Sequence, residues 1–335
     1  MRKVTLRDIA KEVGTSPATV SKVLTGRGDE LIGRETREQV LAVARKLGYS
    51  PNLAARALVT GRTHCIALWA ETLADFHSIV ANAFMDQLRP SQYEIVITDV
   101  VKHPDWHAYF QRTPLWPVDG IIALDSPHSV RAYLAASAGR NVPVVSVGAY
   151  YVTETDYVGV DLASGIEAAV RHLYEEGCRR IVHLTCEHGM RPGDGRREAY
   201  EAVMRDLEME PELIVAEQSS REDGRRTVLA AGERGDLPDG LVCFNDEMSI
   251  GACKALHEMG VAVPDRVAVT GCDGIPDTEY FPTSITTIVQ PVETLCKTAW
   301  EFLRHRIEHP EAPRQAAILQ PELRVRGSSR RRGAA

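Results

Sequence analysis

Residues 4–26 read VTLRDIAKEVGTSPATVSKVLTG, and their spacing decides the architecture of the N-terminus. Thr5 followed by Asp8 has the form of a capping box, in which side chains satisfy the free amides of a helix start. Leu6, Ile9, Ala10 and Val13 then fall at i, i+3, i+4 and i+7, the period of one apolar helical face. Gly14 supplies the left-handed backbone that ends a helix, and Thr15 continues a tight turn. Ser16 is a helix N-cap, with Pro17 at the first helical position, where a missing N–H costs nothing. Val20, Val23 and Leu24 point inward, leaving Pro17, Ala18, Ser21 and Lys22 outward. Two short helices about such a turn read as a helix-turn-helix, with a plain three-helix bundle or a protein-interaction cap as the alternative. A third helix is expected from about Arg34 to Leu47, with Val40, Leu41, Ala44 and Leu47 inward and Gly48 at its C-terminal cap.

Charge is divided along the chain. Residues 1–62 hold 12 Lys/Arg against 6 Asp/Glu, while the remaining 273 hold 27 against 40, and the whole chain is at −7. A basic head on an acidic body points to a polyanionic partner for the head alone.

The first stretch, with ETREQVLAVARKLGYSPNLAARAL at 35–58, closely resembles the DNA-binding head of the LacI/GalR family of bacterial repressors. The resemblance rests on Thr5, Asp8, Ala10, Gly14, Ser16, Thr19-Val20-Ser21, Thr36-Arg37, Leu47-Gly48-Tyr49, Pro51-Asn52 and Ala55-Arg56-Ala57-Leu58. It implies DNA contact by Thr5, Leu6, Ser16, Pro17, Ala18, Thr19, Ser21 and Lys22, with the second helix in a major groove. Pro17 and Ala18 depart from relatives that carry amides or aromatics there. Neither can hydrogen-bond a base, though Ala18 can pack on a thymine methyl, which leaves Lys22 as the best donor to a guanine edge. Residues 51–58 resemble the family's hinge helix, bringing Asn52, Ala55 and Leu58 to the minor groove with Leu58 as the wedge between base steps. Eight residues are too few for a stable isolated helix, as suits an element whose order depends on DNA.

After Gly61 the period changes. Short apolar runs at 66–69, 93–98, 120–124, 142–147, 180–186, 213–216, 240–244 and 266–270 alternate with helical segments such as 163–176, 194–209, 247–259 and 291–308. Such alternation argues for parallel sheets wound by crossovers. Some 270 residues suit two lobes better than one sheet, with ligands bound outside the carboxyl ends of the strands. PVDGIIAL at 117–124, VGVDLASG at 158–165, FNDEMSIGA at 244–252, VAVTGCDG at 267–274 and SITTIVQP at 284–291 extend the family resemblance to about residue 329. The implied class is α/β: an all-α helix-turn-helix head plus a periplasmic-binding-protein-like core of two doubly wound parallel-sheet lobes.

The expected boundaries are 1–50 for the head, 51–62 for hinge and linker, and 63–329 for the core. Lobe one covers about 63–161 and 292–320, lobe two about 162–291 and 321–329, and 330–335 is a disordered basic tail. The resemblance places an effector among Phe76 and His77 of lobe one and Arg196, Asn245, Asp246 and Asp273 of lobe two. Asn, Asp and Arg offer planar hydrogen bonding to vicinal hydroxyls or ring edges. Asp246 reads equally as a helix cap, Asp273 as a turn residue, Phe76 as core and His77 as surface. Two departures mark the pocket: Gly148 stands where sugar-responsive relatives often have a carboxylate, and Ser219 and Ser220 stand where they often have an aromatic. A sugar or sugar derivative is the leading effector class, a nucleobase or nucleoside the second.

Seven cysteines without a CxxC pair read as reduced thiols, and the Cys178, His183, Cys186, His188 group matches no common zinc spacing. The chain lacks a signal-peptide h-region and any bilayer-length apolar run, so a cytoplasmic protein without a membrane partner is expected. An enzyme on the same core is the rival class; against it, the sequence has no GxSxG or P-loop motif, and no nucleophile–base pair can be named in it. The expected partners are double-stranded DNA bearing a palindromic operator, a small-molecule effector and a second copy of the chain, with no cofactor and no metal.

Overall fold

The computed structural model describes residues 4–24, 32–49, 61–70, 72–91, 93–99, 118–136 and 142–331. The chain forms two compact units, residues 1–63 and 64–335. In the first, α1 (Leu6–Val13), α2 (Pro17–Leu24) and α3 (Arg34–Lys46) enclose Ile9, Ala10, Val20, Val23, Val40 and Ala44. The Asp8 carboxylate accepts from the amide and hydroxyl of Thr5, at 2.8 and 2.7 Å, and fixes the start of α1. Gly14, at φ 73°, ends it, and the Thr15 amide returns to the Ala10 carbonyl. Leu41, expected to face inward, is 38% exposed. The buried row of α3 is Val40 and Ala44, four apart, and Leu41 lies about 100° round the helix from Val40.

The second unit contains two six-stranded sheets. In chain order its elements are β1 (Cys65–Ala70), α4 (Asp75–Leu88), β2 (Glu94–Asp99), β3 (Gly120–Leu124), α5 (Pro127–Ala136), β4 (Val144–Gly148), β5 (Asp156–Val160) and α6 (Leu162–Glu175). Next come β6 (Ile181–Cys186), α7 (Gly195–Asp206), β7 (Glu212–Ala216), α8 (Arg221–Glu233), β8 (Gly240–Cys243), α9 (Asp246–Glu258) and β9 (Ala268–Asp273). The chain ends with α10 (Asp277–Tyr280), β10 (Thr286–Val289), α11 (Val292–Glu308), β11 (Ala316–Leu319) and β12 (Glu322–Arg324).

Lobe one has the order β11-β5-β4-β3-β1-β2, all parallel. Lobe two has the order β12-β10-β9-β8-β6-β7, parallel except for antiparallel β12. Central strands such as β3, β4 and β6 are buried along their whole length, as sheets covered by helices on both faces require. The chain passes between sheets after β5, after β10 and after β11, so three strand ends converge at one seam. Helix α11 is tied to lobe one by a fork of Arg306 on Asp156, at 2.9 and 2.8 Å, with Asp156 almost fully buried.

Residues 330–335 are expected as a disordered tail, yet Arg331 is held in place. The Arg331 amide donates to Glu176 at 2.8 Å and its guanidinium to the Asp239 carbonyl at 2.6 Å, while residues 332–335 lie outside the described residues. Among the described residues, no helix is long and apolar enough to cross a membrane.

Candidate functional site

Two surfaces carry the candidate chemistry. On the head, Ser16 Oγ accepts the Thr19 amide at 3.0 Å and lies 2.9 Å from the Thr19 hydroxyl, so both side chains brace the start of α2. Thr5, Ser16, Pro17, Ala18 and Lys22 are exposed, and Thr19 and Ser21 partly so. Leu6 is partly buried against the head core, so its side chain serves packing as much as contact. Asn52, Ala55 and Leu58 lie outside the described residues.

The second surface lies between the two lobes, where strand ends bring side chains together. An inner chamber of about 210 Å³ and an adjoining outer chamber of about 820 Å³ share Asp125, Tyr150, His188 and Arg196 in their walls. Phe76 and His77, at the start of α4, line the inner chamber together with Arg196, Asn245 and Asp273. The structure thus brings five of the six expected effector residues to one space.

Arg196 is the best-held of them. It is 6% exposed, its guanidinium carbon stands 3.6 Å from the centre of the Phe244 ring, and it donates to the Phe244 carbonyl and the Asp194 carboxylate. Asp194 caps α7 by accepting the Arg196 and Arg197 amides at 3.1 and 3.0 Å. Burial opposes the Asp194 charge, yet Arg196 and Tyr150 hold its carboxyl below the usual range. Tyr150, from lobe one, donates its hydroxyl to Asp194 and accepts from Arg196, so this cluster joins the lobes. Burial is the main reason the Tyr150 phenol is raised, and it stays a neutral donor.

Asp273 ends β9 at φ 125°, and its carboxylate accepts from Gln290 Nε2 at 2.9 Å. Burial, and then the neighbouring Asp246, push its carboxyl up to about 8. Gln290 Oε1 is buried in the chamber wall and has no hydrogen-bond partner among the described residues. Asn245 caps α9 through the Met248 amide at 2.9 Å and donates to the Ser219 carbonyl at 3.0 Å, while still facing the chamber.

Asp246 is a correction. It is fully buried and neither lines the chamber nor caps the helix. Its oxygens accept the amides of Gly274 and Ile275, at 2.7 and 2.8 Å, and the Thr287 hydroxyl at 2.6 Å, which binds α9 to the ends of β9 and β10. Burial lifts it to about 6 against those three donors. Each buried carboxyl disfavours a charge on the other, and the three donors around Asp246 favour the charge there.

The expected gap at Gly148 is filled from the next strand. A Cβ at 148 would stand 2.4 Å from Asp125 Oδ1, in a backbone at φ 107°. Asp125 accepts the Tyr150 amide at 2.9 Å and lies 3.6 Å from His77 Nε2. Ser219 lines the inner chamber, and Ser220 instead caps α8. Sequence reasoning missed Asp125, Tyr150, His188, Asp194 and Gln290. Four of these lie within two residues of the ends of strands β3, β4, β6 and β10, where open α/β sheets bind ligands, so the strand-end rule had the signal.

Residues 5–52 match the model for bacterial regulatory proteins of the lacI family, and residues 170–329 match a periplasmic binding protein-like domain. A lacI-family DNA-binding head is thus joined to a periplasmic binding protein-like core. This regulator is 29% identical to the ribose operon repressor of Halalkalibacterium halodurans, covering 91% of this chain and 90% of the relative. It is 28% identical to the transcriptional repressor PurR of Serratia proteamaculans, over 97% of this chain and 96% of the relative. Its fold matches the lac repressor dimer bound to operator and anti-inducer, at TM-score 0.84 and 23% identity, covering 98% of this chain and 99% of the other. A LacI-family regulator from Enterococcus faecium with bound ribose matches at TM-score 0.70 and 22% identity, over 79% and 98% of the two chains. The family's helix-turn-helix and two-lobed core make this chain a DNA-binding transcriptional regulator.

Proposed function

We propose that this regulator is a homodimeric repressor whose affinity for a palindromic operator is set by a saccharide bound between its lobes. The observation that carries the effector reading is the inner chamber. A buried arginine fork, a strand-end carboxyl, a cap asparagine and the unpartnered Gln290 carbonyl converge there, beside Phe76 and Phe244. That set offers hydrogen bonds to adjacent hydroxyls and an apolar wall to a ring face. The ribose operon repressor among its relatives supports the same class. A nucleobase is the second reading, since the aromatic walls suit a planar base.

On the head, Ser16, Pro17, Ala18, Ser21 and Lys22 would meet the major groove, with Thr5, Leu6 and Thr19 beside the phosphates. Asn52, Ala55 and Leu58 would enter the minor groove as the hinge orders. Two copies are needed for two half-sites. Exposed apolar side chains at Met85, Val96 and Ile97 offer lobe one a surface for the second copy. The chain acts by binding, in the cytoplasm with its DNA, and Asp273 works as a hydrogen-bonding group rather than a proton-transfer catalyst.

The test is a thermal-shift screen of the purified chain against sugars, sugar acids, polyols and nucleobases, with Arg196→Ala beside it. A stabilising sugar that loses its effect in Arg196→Ala supports the reading. Stabilisation by nucleobases alone replaces it with the second.

A further inference from the structure

The inner chamber, at about 210 Å³, falls below the roughly 300–1,000 Å³ usual for ligand pockets, and has room for one small ring. Beyond Tyr150 and Arg196 the space opens into the outer chamber of about 820 Å³, whose wall has a different chemistry. Tyr151 there stacks in parallel on Tyr157, with ring centres 4.8 Å apart and planes 8° from coincidence. It rests over Gly159, where a Cβ would stand 2.5 Å from Tyr151 Cε1 and 2.6 Å from Ile318 Cδ1. The side chain missing at 159 is therefore what lets the tyrosine lie beside the sheet. Ile318, in register with Gly159, is 44% exposed and continues the apolar surface. His128, Arg131, Asp161 and Arg191 line the same chamber and set donors and acceptors beside that surface.

A fixed aromatic ring with an aliphatic neighbour and polar groups alongside suits a sugar ring, which has an apolar C–H face and a hydroxyl edge. We infer that the outer chamber is a second saccharide subsite built on Tyr151 and Ile318, so that the effector has at least two sugar units. One unit occupies the inner chamber against Arg196 and Asp273, and the other lies on Tyr151. This rests on the saccharide reading of the inner chamber and goes further by fixing the size of the ligand.

Isothermal titration of the full chain tests it, using glucose, galactose, fructose and ribose beside cellobiose, maltose, lactose, sucrose and melibiose. The expected result is that one disaccharide binds about tenfold or more tighter than either of its units. Tyr151→Ala should remove that advantage while leaving monosaccharide affinity within about twofold, and Tyr151→Phe should keep it, since stacking needs no hydroxyl. A monosaccharide binding as tightly as every disaccharide containing it would overturn the inference and leave the sugar reading standing. Equal losses of mono- and disaccharide affinity in a folded Tyr151→Ala would also overturn it, by making Tyr151 a structural residue. No binding by any saccharide, with nucleobases bound instead, would overturn both.

Discussion

The two lobes build their halves of the cleft differently. Lobe two holds its polar groups through its own contacts: Gln290 holds Asp273, Asn245 is braced by Ser219 and Met248, and Asp194 and Phe244 fix Arg196. Lobe one contributes Phe76, His77 and Asp125, and reaches across with Tyr150. One side is thus a template and the other a cover that reaches it through the Tyr150 strap. A ligand held by the template shifts the angle of the cover only through contacts that differ between open and closed lobes.

The largest effect expected from that contrast is at the template. Arg196→Ala should weaken effector binding about 100-fold or more, because a buried fork is lost and the Asp194 charge is left uncompensated. Arg196→Lys should recover little, since an ammonium cannot make the planar fork. Calorimetric titration checks both, and near-normal binding by the lysine variant would contradict a templating role.

Next in size is Asp273→Asn, which should cost the effector about tenfold in affinity. Its stability should move the other way with pH. A carboxyl raised to about 8 in the folded chain but ionising near 4 when unfolded makes the folded state bind more protons between those values. Stability of the natural chain is therefore lost as pH rises through that window. Asp273→Asn removes the titration, so its stability relative to the natural chain should improve by about 1 kcal/mol or more between pH 5 and pH 8. Denaturant melts at the two pH values measure it, and a parallel pH dependence in both chains would refute the raised Asp273 carboxyl.

The smallest effect is at the strap. Tyr150→Phe removes one hydroxyl that links the lobes and should cost about 1 kcal/mol of unfolding free energy. It should also expand the effector-free chain in solution scattering. An unchanged scattering profile would mean that the lobes are held together elsewhere.

How far the sequence could be read also differs by region. The head was legible because its signals are local: the Thr5–Asp8 pair, Gly14 and the Ser16-Pro17 start all fall within one short stretch. Leu41 was misread because a 3.6-residue period leaves the edges of a helix face ambiguous. In the core, the eight apolar runs are strands β1–β4 and β6–β9: the central strands are buried on both faces, and the edge strands β2 and β7 still carry consecutive apolar side chains. Strands β5, β10, β11 and β12 are short, Gly- or Thr-containing or edge strands, and only the family resemblance touched them. Arg196 and Asp273 reached the site as read. Asp246 did not, because its chemical type suits a ligand as well as it suits three buried donors, and only the fold decides between those. Asp125 escaped because its carboxylate serves the space above another strand's Gly148, a substitution in three dimensions with no trace in local spacing.

The central claim is that the cleft and the DNA-binding head share one equilibrium. Its most direct test is a fluorescence-anisotropy titration of the full chain against a duplex it selects from a random library, with and without the sugar found by thermal shift. Saturating effector should change operator affinity by about 5- to 150-fold. Arg196→Ala should keep the basal affinity and lose the change, while Lys22→Ala should lose about 1–3 kcal/mol of DNA binding in either state. An operator affinity that stays the same with the cleft demonstrably occupied would contradict the account.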